Sequence, residues 1–119
     1  MSRPRLLVVD DDPGVTTQLK WALSDYELAF AANRAETLDA VRRLQPPVVT
    51  LDLGLPPDPA NASEGLATLS GILRLAPGCK VIVVTGNDDR DVAMRAVAQG
   101  AYDFYEKPID PDVLRLIVD

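Results

Sequence analysis

Three short segments of the chain are almost continuously apolar and rich in β-branched residues. They run from Leu6 to Val9, from Val48 to Leu51 and from Val81 to Val84. Continuous apolar runs of this length are typical of strands that are covered on both faces, as in a parallel sheet. Two further segments, Tyr26 to Ala31 and Ala101 to Glu106, alternate between apolar and polar positions, which indicates one less buried face. The pattern therefore predicts three central strands and two edge strands.

Amphipathic helical patterns separate the strands, and residues that favour helix ends mark their limits. Capping residues and prolines stand at the start of the first, second and fifth patterns, and proline or glycine ends the second, third and fourth. The fifth pattern breaks off at the end of the chain, so we expect this helix to be truncated. The start signals are Asp12-Pro13, Asn33 with Glu36, and Asp110-Pro111, and the stop signals are Pro46-Pro47, Pro77-Gly78 and Gly100.

Strands and helices alternate five times along the chain, an order that favours an α/β fold with right-handed crossovers. Placing the two alternating strands at the edges favours the doubly wound order 2-1-3-4-5. We therefore predict one domain over residues 1–119, a (βα)5 flavodoxin-like sandwich with a five-stranded parallel sheet. Ligands of such sheets bind beyond the carboxyl ends of the strands, at the switch point between strands one and three.

Composition and charge exclude several classes of function. The 119 residues carry 18 acidic and 12 basic side chains, a net charge of −6 that argues against direct nucleic-acid binding. The chain has no histidine, which excludes Ser-His-Asp and Cys-His nucleophiles and histidine-ligated zinc. Cys79 is the single cysteine, as suits a reducing cytoplasm. Apolar runs are too short for a membrane span or a signal peptide, so we expect a cytoplasmic protein.

Chemically reactive side chains follow four of the five predicted strands. Because the carboxyl ends of parallel strands share one edge of a sheet, we expect these side chains to meet in one crevice. Clustered carboxylates repel one another, and a lysine and a hard cation such as Mg²⁺ would offset that repulsion. This set suits a phosphoryl group, for which a carboxylate would be the covalent acceptor. The residues are Asp10, Asp11 and Asp12 after the first strand, Asp52 after the third, Thr85 after the fourth and Lys107 after the fifth.

Each of these residues alone also has an ordinary structural explanation. Asp12 suits a helix cap, Thr85 suits a β-branched strand position, and Lys107 before a proline suits a surface turn. Their combination favours a functional site, because separate strand ends deliver complementary groups to one predicted place.

The same residues stand in motifs that resemble the receiver domains of two-component response regulators, and the resemblance covers essentially the whole chain. The acid pair Asp10-Asp11 lies in Leu-Leu-Val-Val-Asp-Asp-Asp, Asp52 in Val-Val-Thr-Leu-Asp-Leu-Gly-Leu-Pro, Thr85 in Val-Ile-Val-Val-Thr-Gly, and Lys107 in Phe-Tyr-Glu-Lys-Pro. Within the family, the chain looks similar to the receivers of PEP-CTERM-associated regulators, which are of the nitrogen-regulation, sigma-54-dependent type.

The resemblance implies a role for each residue at the predicted metal site. Asp52 would accept the phosphoryl group. Asp10, Asp11, Asp52 and the backbone carbonyl of Gly54 would hold Mg²⁺, with Asp12 in a third, less essential acidic place. The chain would then be a signalling domain and not an enzyme, with only its own phosphorylation and dephosphorylation to catalyse.

The resemblance also implies a conformational switch. Lys107, in a cis peptide bond to Pro108, would contact the phosphoryl oxygens. Thr85 would move toward the phosphoryl group, where the small Gly86 leaves room, and the ring of Phe104 would turn inward with it. The surface of the fourth helix, fifth strand and fifth helix would then change.

The implied partners follow from this family. A sensor histidine kinase would supply the phosphoryl group, and the switching surface would control an output domain or join two copies as a homodimer. For the nitrogen-regulation type, a sigma-54-interacting ATPase and a DNA-binding domain would follow the receiver. Residues 1–119 would then be the N-terminal part of a longer transcriptional regulator.

One feature of the chain departs from the pattern of the family, and two other functions are compatible with parts of the sequence. The Pro-rich loop from Asp52 to Gly65 is longer than the usual turn of the family, which we expect to affect kinase docking or the lifetime of the acyl phosphate.

A pseudo-receiver would keep the fold without phosphorylation, although the intact set of site residues argues against it. A haloacid-dehalogenase-like phosphatase would use Asp10 as nucleophile, but its motif needs threonine or valine where this chain has Gly14.

Overall fold

The computed structural model describes residues 5–55, 63–86, 90–107 and 110–118. Its elements alternate between strand and helix, as predicted. No helix in these ranges combines the length and apolar character needed to cross a membrane. The strands are β1 (Arg5–Val9), β2 (Glu27–Ala31), β3 (Val48–Asp52), β4 (Lys80–Thr85) and β5 (Asp103–Glu106). The helices are α1 (Pro13–Ala22), α2 (Arg34–Leu44), α3 (Ser63–Leu75), α4 (Arg90–Gln99) and α5 (Pro111–Val118).

The strands form one parallel sheet in the order β2-β1-β3-β4-β5, which confirms the predicted topology. The two strands with alternating sequences are its edges, and both start later than predicted. The Tyr26 N–H donates to the Leu23 carbonyl, and the Ala101 N–H donates to the Ala96 carbonyl of α4. Tyr26 and Ala101 therefore belong to the turns that precede the strands.

The helices cover both faces of the sheet, and alternate residues of each strand point to opposite faces. Helices α1 and α5 pack against Leu6 and Val8 on one side, which we call the α1/α5 face. Helices α2, α3 and α4 pack against Leu7 and Val9 on the other, which we call the α2/α3/α4 face. The same alternation places Asp10, directly after β1, on the side of Leu6 and Val8.

The predicted helix starts are present, with one difference at α2. The Asp12 carboxylate caps α1 by accepting a hydrogen bond from the Gly14 N–H at 2.9 Å. The Asn33 side chain caps α2 by accepting from the Glu36 N–H at 2.9 Å. In a capping box the glutamate returns to the N–H of the cap residue itself. Here the Glu36 carboxylate accepts from the Ala32 N–H, one residue earlier, at 2.9 Å.

Two helices end at a residue in the left-handed backbone region. Gly100 follows α4 with a φ of 124°, in agreement with the predicted C-cap. Gln45 follows α2 with a φ of 46°, directly before Pro46, and its N–H donates to the Val41 carbonyl at 3.0 Å. The left-handed residue therefore ends α2 directly before the predicted stop signal Pro46-Pro47.

Helix α3 begins against the turn that follows β3. The Leu53 and Leu55 side chains are 3% and 0% exposed, so the start of the long loop is anchored in the core. Gly65 lies so close to this turn that a Cβ there would be 2.4 Å from the Leu53 carbonyl oxygen. The Arg34 guanidinium bonds the Glu64 carboxylate at 2.9 Å and ties this end of α3 to α2. The rest of the loop, residues 56–62, lies outside the described residues.

We expect Gly65→Ala to lower the free energy of unfolding by about 1–3 kcal/mol, because the added methyl group would overlap the Leu53 backbone. The matched control is Gly78→Ala, since a Cβ at Gly78 meets no atom within 4 Å. The control should be neutral or more stable by up to about 1 kcal/mol, through a smaller unfolded-state entropy. Urea unfolding followed by circular dichroism measures both, and equal stabilities would contradict the close contact.

Candidate functional site

The carboxyl ends of β1 and β3 bring three predicted carboxylates together. The two strands are neighbours in the sheet, with Val9 opposite Leu51. One carboxylate oxygen from each of Asp10, Asp11 and Asp52 lies within 4.8 Å of the others. Asp10 and Asp52 are 7% and 5% exposed, whereas Asp11 is open to solvent. Two buried acids and one exposed acid thus form one cluster.

Hydrogen bonds from the following turns orient the two buried carboxylates. Asp10 Oδ1 accepts from the Asp12 N–H at 2.9 Å, and Asp52 Oδ1 accepts from the Gly54 N–H at 2.9 Å. Both acids therefore bond the backbone two residues further along the chain, which restricts their rotamers. Each bond leaves lone pairs of the carboxylate free for another ligand.

Lys107 reaches this cluster from the edge strand β5. Its N–H donates to the Thr85 carbonyl at 2.8 Å and its ammonium donates to Asp52 Oδ2 at 2.8 Å. Burial lowers the pKa of Lys107, but the hydrogen bond to Asp52 and the negative charges of Asp52, Asp10 and Asp11 raise it above its ordinary value. The side chain is therefore a stable cation at neutral pH.

One ammonium does not neutralise three carboxylates. Burial raises the pKa of Asp10, and the negative charges of Asp52 and Asp11 add to this effect. The hydrogen bond from the Asp12 backbone and the charge of Lys107 oppose it without cancelling it. Carboxylate oxygens this close together are ligands that a hard divalent cation prefers, and such a cation would remove the remaining repulsion. The residues present therefore fit a divalent metal.

Asp12 lies beside this cluster, and its carboxylate caps a helix. Its side chain is exposed and accepts the Gly14 N–H as the cap of α1. Among the described residues, the group of acids close enough to share a cation contains Asp10, Asp11 and Asp52 and leaves Asp12 out.

Thr85 and Phe104 lie apart from the acid cluster, in a separate pocket. Thr85 is 4% exposed and, with Phe104, Gly86, Arg90 and Glu106, lines a pocket of about 230 Å³. The Phe104 ring is half-buried and packs against the core of the α2/α3/α4 face. In the part of the chain that the structure describes, no hydrogen bond joins Thr85 to an acid of the cluster. The predicted cis bond after Lys107 involves Pro108, which lies outside the described residues.

Sequence reasoning missed a cavity on the α1/α5 face. It has a volume of about 230 Å³, and its walls include the carboxylates of Asp10 and Asp52 and the side chain of Thr50. The one available signal was Thr50 itself, a polar residue inside the otherwise apolar run from Val48 to Leu51.

Comparison with known proteins finds one family. The model of the response regulator receiver domain matches residues 6–119. The chain is 35% identical over its whole length to the DNA-binding transcriptional regulator NtrC of Escherichia coli (strain K12), of which it covers 25%. It is 30% identical over 96% of its length to the nitrogen assimilation regulatory protein NtrX of Azorhizobium caulinodans, of which it also covers 25%. The chain thus spans about a quarter of the length of these relatives.

Solved structures agree with this result. The receiver domain of NtrX from Brucella abortus has a TM-score of 0.82 at 33% identity, over 94% of this chain and 92% of that one. A response regulator protein from Burkholderia pseudomallei has a TM-score of 0.84 at 25% identity, over 98% of this chain and 66% of that one. The Burkholderia structure holds a phosphorylated aspartic acid, a calcium ion and citrate.

We expect Asp10→Asn to raise the free energy of unfolding of the metal-free protein at neutral pH, by on the order of 1 kcal/mol. The folded-state pKa of Asp10 is raised above its ordinary value of 3.8. The free energy of unfolding therefore falls as the pH rises from the ordinary pKa to the folded-state pKa, because the folded protein disfavours the ionised form. The increase in the free energy of unfolding caused by Asp10→Asn should therefore be small near the ordinary pKa. It should be complete once Asp10 is ionised in the folded protein. Urea unfolding at several pH values, with a chelator present, measures it.

Asp12→Asn is the matched control for this change. Asparagine caps a helix about as well as aspartate, so this variant should follow the stability of the unaltered protein at every pH. Identical pH profiles for the two variants would contradict the electrostatic explanation.

Proposed function

The chain belongs to the response regulator receiver domain family, and we propose that Asp52 is the residue that accepts its phosphoryl group. One observation carries this assignment. Asp52 is the buried carboxylate that Lys107 contacts at 2.8 Å, and it is one of the three acids of the cluster. The Lys107 ammonium would therefore lie close to the charged oxygens of a phosphoryl group on Asp52.

The proposed reaction is an in-line transfer to a carboxylate oxygen of Asp52. That oxygen attacks the phosphorus of a phosphohistidine, the new O–P bond forms, and the P–N bond breaks with its electron pair returning to the imidazole. Lys107 is released from its ion pair with the free carboxylate and pairs with phosphoryl oxygens. This chain contains no histidine, so the phosphohistidine belongs to a partner, which we propose is a sensor histidine kinase.

We propose Mg²⁺ as the metal, held by Asp10, Asp11, Asp52 and the Gly54 carbonyl. The oxygen donor set supports a hard divalent cation. When bound, Mg²⁺ supplies positive charge that offsets the phosphoryl oxygens and the crowded carboxylates. Asp10 and Asp11 would then act as ligands of the metal, and the hydrogen bond from the Asp12 N–H would hold the Asp10 carboxylate in place.

The switch residues of this proposal are Thr85 and Phe104. A phosphoryl group on Asp52 adds hydrogen-bond acceptors, and the Thr85 hydroxyl, which makes no bond to the acid cluster in this structure, is a donor at the end of the neighbouring strand. If Thr85 turns toward Asp52, it vacates part of the pocket that Phe104 also lines. The Phe104 ring then has room to move inward.

The surface that would change is formed by α4, β5 and α5. It exposes apolar side chains that a partner would cover, with Met94 58%, Tyr102 55% and Leu116 82% exposed. We propose that this surface contacts an output domain or a second copy of the receiver. The similarity to NtrC and NtrX supports a sigma-54-interacting ATPase and a DNA-binding domain as output, with residues 1–119 as the N-terminal part of that regulator.

We expect a small acyl phosphate with Mg²⁺ to add one phosphoryl group to this chain and none to Asp52→Asn, as measured by intact mass. Asp12→Asn is the control, because it removes a negative charge beside the site but not from the cluster. It should be phosphorylated to a similar extent. An unmodified wild-type chain would instead indicate a pseudo-receiver, and a phosphoryl group on Asp10 would indicate the phosphatase alternative.

We expect Thr85→Ala to accept the phosphoryl group but to lose most of the structural change that follows. Amide NMR spectra before and after phosphorylation measure this at Phe104 and along α4. The control is Thr17→Ala, an exposed threonine of α1, which should keep the full change. If phosphorylation changed the Phe104 shifts of Thr85→Ala as much as those of the unaltered chain, this would contradict the proposed coupling.

A further inference from the structure

The cavity on the α1/α5 face lies behind the phosphorylation site. Val8 and Thr50 line it from the middle of β1 and β3, and Asp10 and Asp52 line it two residues further along each strand. Because the strands are parallel, both carboxylates stand at the same end of the cavity. The cavity thus has a polar end at the acid cluster and extends from there under α1.

The walls away from the carboxylates are mostly apolar, with the Gln18 side chain of α1 as a polar exception besides Thr50. Val8 and Val84 contribute from the sheet, and Val15 and Leu19 contribute from α1. Cavities of roughly 150 Å³ with apolar walls bind benzene in proteins. A volume of about 230 Å³ therefore accommodates one aromatic ring with a short substituent.

Thr50 is an independent sign of a ligand. The residue is 3% exposed and lies on a wall of this cavity. Its hydroxyl makes no hydrogen bond within the part of the chain that the structure describes. Among the described residues no sealed side-chain oxygen or nitrogen lacks a hydrogen-bond partner, so this unbonded hydroxyl is not enclosed in the core but opens onto the cavity. The hydroxyl is therefore available to a polar group inside the cavity.

The negative charge at the polar end of the cavity favours a ligand group that donates hydrogen bonds. The carboxylates of Asp10 and Asp52 accept hydrogen bonds, and so does the Thr50 hydroxyl. The ammonium of Lys107 is the cation that faces them, and it already bonds Asp52 Oδ2. An ammonium group on a ligand would complete the charge balance that one lysine leaves incomplete.

We propose that this cavity binds a small aromatic primary amine. The ring lies between α1 and the sheet, against Val15 and Leu19, and the ammonium group donates to the carboxylate end and to the Thr50 hydroxyl. A ligand in this position competes electrostatically with a divalent cation for the same carboxylates. The amine therefore lowers the affinity for Mg²⁺, and Mg²⁺ lowers the affinity for the amine by the same factor. By competing with Mg²⁺, the amine inhibits phosphorylation.

The test is a titration of the complete chain with benzylamine, without divalent cations, followed by amide NMR. We expect shifts in α1 and in the central strands, with a dissociation constant on the order of 1 mM. Val15→Phe places a ring into the cavity from α1 and should weaken binding at least about tenfold. Its matched control, Val97→Phe, changes an exposed valine of α4 and should bind as the unaltered chain does.

A second variant and a second ligand separate the cavity from the charged surface. Thr50→Val keeps the side-chain shape, should fold at least as well, and should weaken benzylamine binding severalfold. Methylamine carries the charge without the ring and should bind at least about tenfold more weakly than benzylamine. Equal binding of the two amines, or full benzylamine affinity in both Val15→Phe and Thr50→Val, would overturn the proposal and indicate ion pairing at the acid cluster only.

Discussion

Crowding of negative charge at the ends of two neighbouring strands is the constraint on which the rest of the site depends. Parallel pairing of β1 and β3 brings Asp10 and Asp52 together, and Asp11 joins them within 4.8 Å. Burial raises the pKa of Asp10, and the neighbouring acids raise it further. Lys107 relieves this repulsion in part, and it does so from β5, on the far side of β4. The balance of charge therefore depends on the whole strand order.

Lys107 also connects the two faces of the sheet. Its ammonium bonds Asp52 on the α1/α5 face, and its N–H bonds the carbonyl of Thr85. The Thr85 side chain belongs to the pocket that Phe104 lines on the opposite face. The proposed phosphoacceptor Asp52 and the proposed switch residue Thr85 are thus both hydrogen-bonded to Lys107. A change of charge at Asp52 would alter the partner of Lys107 directly, and a local change of charge of this kind can bias a two-state element.

Sequence reasoning predicted the elements from local signals, but it did not predict individual contacts between side chains and backbone. Continuous or alternating apolar runs predicted which strands are central and which are edges, and Asp12 and Asn33 correctly marked the starts of α1 and α2. The pattern at the start of α2 predicted a capping box, but the Glu36 carboxylate accepts from the Ala32 N–H, because the backbone conformation of the turn decides which N–H it reaches. The contact of Gly65 with Leu53 was missed because it joins residues on either side of a long loop.

The sequence by itself determined the elements, their order and the kinds of side chain at the strand ends. Periodicity and turn chemistry act within a few residues, so they are legible without a structure. Only the tertiary structure decided that Asp12 stays outside the acid cluster, that Thr85 faces away from it, and that a cavity lies beneath it. These features depend on contacts between distant parts of the chain, as in the bond between Asp52 and Lys107, which are 55 positions apart. Packing of α1 against the sheet sets the volume of that cavity, and no local pattern encodes such a distance.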